Sequence, residues 1–228
     1  MKIKILIALF MMLRAVSTGA ADHLSDAPIY VVAYVGAAAN TARQATGILE
    51  RYRDMARGER GAASIDLYAQ KGRDGQFISL EVWQSAAAFQ AHMNGASVAQ
   101  LTRDLGPVEL GPWDVRPHTA YLLGEPVPAR EQAVILVTHV DVPPPATPDY
   151  EKLIKTYIEG SRKEPGADRL DVFQALSPRT NHFTVLEVWS EEAARNVHQR
   201  GASALSFRTE LAPRLGALYD EREYRMVK

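Results

Sequence analysis

The chain has 228 residues, 46% hydrophobic and 23% charged, with 26 basic and 27 acidic side chains and a formal charge of -1. A balance so close to neutral sets up no field for drawing in nucleic acid or an anionic membrane surface. The lack of cysteine excludes disulfides, thiolate metal sites and cysteine nucleophiles together.

Lys2 and Lys4 open the chain, an apolar run from Ile5 to Leu13 follows, and small residues continue to Ala21. That is the layout of a secretory signal, with cleavage expected near Ala20 or Ala21, and it implies a periplasmic or secreted protein. The run is too short to span a bilayer, so no membrane span is expected after cleavage.

The rest of the chain repeats itself. Phe77-Ile78-Ser79-Leu80-Glu81-Val82-Trp83 recurs as Phe183-Thr184-Val185-Leu186-Glu187-Val188-Trp189, at an offset of 106. Nine residues after each tryptophan stands a histidine, His92 and His198, followed by Gly-Ala-Ser. Upstream the offset is 105, pairing Asp66 with Asp171 and Tyr52 with Tyr157, because one turn is a residue longer in the second copy. Self-similarity at this level marks a tandem duplication. The expected parts are a first repeat over 22–120, a linker over 121–131 and a second repeat over 132–228.

Each copy opens with an apolar run of strand composition, Ile29–Val35 or Ala133–Val140. Next comes a helical stripe, with Ala45, Ile48, Leu49, Tyr52 and Met55 in the first copy and Tyr150, Leu153, Ile154, Tyr157 and Ile158 in the second. Gly61 and Gly166 stand where such a helix should stop. Two strands joined by a turn follow, then a second helical region broken near Gly-Ala-Ser. Last comes a short strand, around Trp113–Arg116 or Tyr219–Tyr224. The stretch Pro117–Gln132, with Pro126 and Pro128, reads as a connection. The order β-α-β-β-α-β is ferredoxin-like, so the class is α+β.

Strand alternation separates two faces. Ile65 and Leu67 share one side, Asp66 and Tyr68 the other; Leu80 and Val82 share one side, Glu81 and Trp83 the other. The aliphatic faces suit packing under helices. On that assignment Asp66, Tyr68, Glu81 and Trp83, and their copies Asp171, Phe173, Glu187 and Trp189, need a second cover. The cheapest cover is the other copy's sheet, which gives two antiparallel sheets closed into an internal α/β barrel with an aromatic and carboxylate interior.

The Glu-Val-Trp run, the histidine nine residues on and the Gly-ended helix resemble the antibiotic biosynthesis monooxygenase family, of the dimeric α/β-barrel superfamily. The resemblance covers roughly residues 28–116 and 132–227. It implies an internal pseudo-dimer, with a further homodimer as an option. It also implies cofactor-free oxidation of a small aromatic or quinol substrate, with a haem or other planar-ligand binding protein as the alternative.

Candidate catalytic residues are His92, His198, Glu81 and Glu187, with Asp171 and His139. An imidazole at a cavity edge can move protons near neutral pH, and an enclosed carboxylate gains basicity. The competing reading is structural: the histidines lock helix to strand, and the glutamates are buried hydrogen-bond acceptors. Candidate substrate-binding residues are Trp83, Trp189, Tyr68, Phe173, Tyr34 and Asp66, which would offer flat apolar walls. His139 breaks the repeat, because Tyr34 stands at its place in the first copy. No spacing points to a metal site. The resemblance brings only part of a haem-degrading pattern: the first strands carry Tyr34 and His139 and no Asn. No cofactor is expected, with haem kept as the alternative ligand.

Overall fold

A computed structural model describes residues 26–125, 127 and 130–227. The expected export signal over residues 1–21 lies outside the described residues.

The first copy runs β1 (Ile29–Gly36), α1 (Ala42–Arg57), β2 (Ala62–Gln70), β3 (Gln76–Trp83), α2 (Ala86–Met93), α3 (Ala96–Leu105) and β4 (Asp114–Leu122). The second repeats it as β5 (Val134–Asp141), α4 (Thr147–Ser161), β6 (Ala167–Ala175), β7 (His182–Trp189), α5 (Glu192–Arg200), α6 (Ala202–Leu211) and β8 (Asp220–Met226). The break near Gly-Ala-Ser divides α2 from α3 and α5 from α6. Helices α1 and α4 end at Arg57 and Ser161, a turn before the expected glycines. Gly61 and Gly166 instead lead into β2 and β6 at φ +88° and +82°, where an added Cβ would meet Ala88 or Ala194 Cβ at 2.5 Å. Both the backbone sign and the closeness of the following helix demand glycine. Met55, expected on the buried stripe of α1, is 43% exposed, and Ala56 beside it is buried.

The eight strands close into one barrel in the order β1-β3-β2-β8-β5-β7-β6-β4. Every neighbouring pair is antiparallel. β1 and β5 therefore point the same way, and the pseudo-two-fold axis relating the copies runs along the barrel. Closure depends on β4 and β8, which each serve both halves. β4 pairs with β1 through Asp114–His118 and with β6 from His118 to Leu122. β8 pairs with β5 from Asp220 to Tyr224 and with β2 from Tyr224 to Met226. Residues 117–122, expected within a connection, are thus strand. Pro117 is tolerated there because it precedes the point where β4 takes up its second neighbour.

Register also corrects the assignment of faces. Residues directly opposite in a ladder share a side, and Ile65 lies opposite Glu81 while Asp66 lies opposite Leu80. In the second copy Leu170 lies opposite Glu187 and Asp171 opposite Leu186. Glu81, Trp83, Glu187 and Trp189, expected in the lumen, therefore face the helices. Leu80, Val82, Leu186 and Val188 take the lumen side. The helix layer suits the indoles because it can enclose them fully, and both tryptophans have no exposed surface.

Three cores follow. Two lie between sheet and helices, one per copy, centred on Leu49, Tyr52 and Trp83 and on Ile154, Tyr157 and Trp189. The third has no helix residue and fills the middle of the lumen with Val32, Ile78, Ile135, Val137 and Tyr224. The barrel is therefore not an open channel; it has a cavity at each end.

Candidate functional sites

Between sheet and helices each copy builds the same polar cluster. The Tyr52 hydroxyl, from α1, donates to Glu81 Oε1 at 2.7 Å and meets His92 Nε2 at 2.9 Å. His92 Nδ1 bonds Glu59 Oε2 at 2.9 Å, and Trp83 Nε1 donates to Glu81 Oε2 at 3.0 Å. In the second copy Tyr157 joins Glu187 at 2.9 Å and His198 at 2.8 Å, His198 bonds Glu164 at 2.9 Å and Trp189 bonds Glu187 at 2.9 Å. The histidine rings stack on the tryptophans at 4.2 and 4.3 Å.

These contacts explain the nine-residue spacing: it brings the histidine from the next helix back over the indole at the strand end. Tyr52 donates to Glu81, and His92 bridges the Tyr52 hydroxyl and the Glu59 carboxylate through its two ring nitrogens. Burial, then the neighbouring glutamate, push the Tyr52 and Tyr157 hydroxyls far above the ordinary range, so they serve as donors and not as acids. Burial likewise raises Glu187. Glu81 has one more donor than its copy, the Ser79 hydroxyl at 2.8 Å, where the second copy carries Val185. All four expected catalytic residues of this set are thus brought together, but as two enclosed clamps joining three elements each. Both nitrogens of each histidine are occupied, and neither ring borders a barrel cavity.

The lumen differs from end to end. One mouth encloses about 420 Å³ between the two copies. Tyr30 and Phe173 stack at 4.9 Å and 20°, and Tyr68, Leu80, Val82, Leu186 and Val188 complete the walls. Two acidic positions of the expected set come here. Asp66 lines the cavity and is paired with Arg57 at 2.9 Å. Asp171 is wholly buried, and both its oxygens are engaged, one by the Gly124 amide at 2.6 Å and one by Arg169 Nε at 2.5 Å. Asp171 therefore holds Arg169, which lines the cavity. Burial is the main reason the Tyr30 and Tyr68 hydroxyls are raised; Asp171 adds to it at Tyr30 and Asp66 at Tyr68. Arg169, unforeseen in the sequence, carries a signal that could have found it: it stands where the first copy has Ser64.

The opposite mouth encloses about 480 Å³. His139 Nε2 meets the Tyr34 hydroxyl in a short hydrogen bond, so the two counterpart positions of the repeat touch each other across the axis. His139 Nδ1 lies 2.9 Å from Thr184 Oγ1, which is 3.0 Å from His118 Nε2. Arg116 and Arg222, themselves counterparts, stand over the Tyr34 ring at 4.8 and 5.7 Å. Burial above all, then the Arg116 charge, push His139 down to about 4; burial does the same to His118. Tyr34 is raised, again mainly by burial. His139 was expected to share a face with Asp171 and Glu187. It does share the lumen face with Asp171, which however lies at the other mouth, whereas Glu187 lies on the helix side. His118 went unread because its segment looked like a connection.

Set beside known proteins, the antibiotic biosynthesis monooxygenase model matches twice, over residues 28–103 and 133–210. The chain belongs to the antibiotic biosynthesis monooxygenase family. Its fold is similar to that of a candidate monooxygenase from Fusobacterium nucleatum subsp. nucleatum, with a TM-score of 0.77 at 15% identity, covering 89% of this chain and 93% of that one. It is also similar to an anthrone oxidase-like protein, with a TM-score of 0.72 at 10% identity and coverage of 89% and 92%. A monooxygenase-like protein from Listeria innocua gives a TM-score of 0.59 at 10% identity, covering 89% and 95%. At these identities the likeness establishes the fold. No curated protein matches the chain. Among the described residues no helix is long and apolar enough to cross a membrane, and no cluster of three or more metal-ligating side chains occurs.

Proposed function

We propose that this family member oxidises a small electron-rich aromatic, a quinol or an anthrone-like ketone, with O2 and without a cofactor, in the cavity walled by Tyr30, Tyr68 and Phe173. The observation that carries the reading is Arg169, a guanidinium held by Asp171 at a cavity whose walls are largely aromatic and aliphatic and which Asp66 also lines. A flat substrate packs beside the Tyr30–Phe173 pair. Asp66 takes the acidic proton, and Arg169 stabilises the anion that results. The anion passes one electron to O2; superoxide and the substrate radical combine to a peroxide, which takes up a proton. For an activated CH2 group, loss of the remaining C–H proton with hydroxide then leaves a carbonyl and one water. Every electron comes from the substrate, so the balance needs no other reductant.

Oxygen uptake against a panel of hydroquinols and anthrones, with autoxidation blanks, tests this. Uptake well above the blank that disappears in Arg169→Met is expected; equal rates in the two proteins overturn it. The non-catalytic alternative is sequestration of a planar ligand in the same cavity. For haem it is disfavoured, because His92 and His198 have no free ring nitrogen and no histidine lines this mouth. Export, and any pairing of whole chains, stand beside this reading as expectations from the sequence.

A further inference from the structure

The second cavity is not needed for the reaction above, yet a row of hydrogen-bonded polar side chains borders it. Two imidazoles, His118 buried and His139 half-buried, are joined by one threonine hydroxyl, and keeping two titratable rings out of water is costly. Tyr34 closes one end of the row, and the row borders open space of about 480 Å³. We infer that this mouth is a second ligand site, which takes up a small aliphatic carboxylate together with a proton on the His139–Thr184–His118 row.

The charges around His139 favour such a ligand. At this mouth Asp114 of β4 is already tied to Arg116 at 2.6 Å and Asp220 of β8 to Arg222 at 2.7 Å, while Glu221 and Glu223 of β8 pair with Arg208 and with Lys71 and Arg195. On β5 Asp141 is tied to His182 of β7 at 2.6 Å. Arg179, in the β6–β7 turn that lines the cavity, has no ion pair among the described residues. The site therefore has a spare cation at its rim and neutral imidazoles deeper in. A carboxylate entering here meets Arg179, and its charge favours the imidazolium form of the row. The added proton can rest on either ring, since reversing the Thr184 hydroxyl hands it from one to the other; the pair titrates as a unit. Divergence supports a local role: the counterparts of His139, Thr184 and His118 are Tyr34, Ile78 and Tyr224, so the row exists at this place only.

In the free protein both rings are held near 4, well below ordinary histidine. If the bound form is raised above that, affinity must increase as pH falls, by up to about tenfold per unit between the two values. The test is calorimetric titration of the full chain with propionate at pH 7.5 and 5.5, each in two buffers of different ionisation enthalpy. Propionate is chosen because it has no ring for the aromatic mouth, and Arg169→Met serves as the control for that end. Tighter binding at pH 5.5 with uptake of close to one proton is expected, unchanged in Arg169→Met. Thr184→Val and His139→Gln should lose the proton uptake. Arg179→Gln, an exposed change that leaves the row intact, should weaken binding severalfold. No binding at either pH, or binding without proton uptake, overturns the inference.

Discussion

The layer between sheet and helices and the lumen of the barrel have had opposite histories since the duplication. Between the layers the copies match side chain for side chain: Tyr52, Glu59, Glu81, Trp83 and His92 against Tyr157, Glu164, Glu187, Trp189 and His198, with bond lengths that agree within 0.2 Å. In the lumen they part, with Ser64 against Arg169, Tyr34 against His139 and His118 against Tyr224. A part that joins elements of one half must be kept in each half. A lumen shared by both halves needs one functional group at each place, and the second copy is free to change. The duplicated clusters are therefore assigned to holding the fold, and the divergent lumen to chemistry.

The comparison breaks most severely if the clusters are not structural. His198→Ala leaves the Glu164 and Glu187 carboxylates without their shared partner, and a loss of about 3–5 kcal/mol is expected in urea unfolding. His92→Ala should cost a similar amount. Stable variants that have lost oxygen uptake would move the reaction to the clusters instead.

Arg169→Met should do the reverse: turnover falls by about a hundredfold, in line with removal of one anion-stabilising donor, while the unfolding midpoint barely moves. Acid titration sharpens the contrast next. His118 and His139 have folded values near 4, below the unfolded histidine value of 6.5, so their contribution is full above 6.5 and is lost as pH falls towards 4. About 3 kcal/mol per histidine is the upper scale of that loss. The pH dependence of stability in this window should flatten in His139→Gln. The smallest effect is Ser79→Val, which turns the first cluster into the second by removing one donor to Glu81, at about 1 kcal/mol.

Much of the fold was legible in the chain. The repeat, the ferredoxin-like order and the paired turns follow from spacing and composition; the barrel was expected too, but on a face assignment that put Trp83 and Trp189 in the lumen, which the ladders reverse. The candidate site was less so. Tyr68, Phe173, Asp66 and Asp171 do converge at one mouth, and Tyr34 and His139 meet at the other. The sequence could equally support a lumen or a helix-side position for Glu81 and Trp83, because a period of two separates the faces of a strand without saying which is inside.

What the sequence by itself determined is therefore local and periodic: two copies, the elements in each, and which residues share a strand face. The tertiary structure alone decided how those faces meet. The ladder between β2 and β3 sets Ile65 beside Glu81, and so sends the clusters to the helices. Strand β4, serving both halves, brings His118 to Thr184, 66 residues on in the chain, and through it to His139. Such meetings depend on register and closure between distant segments, and no pattern within a single segment encodes them.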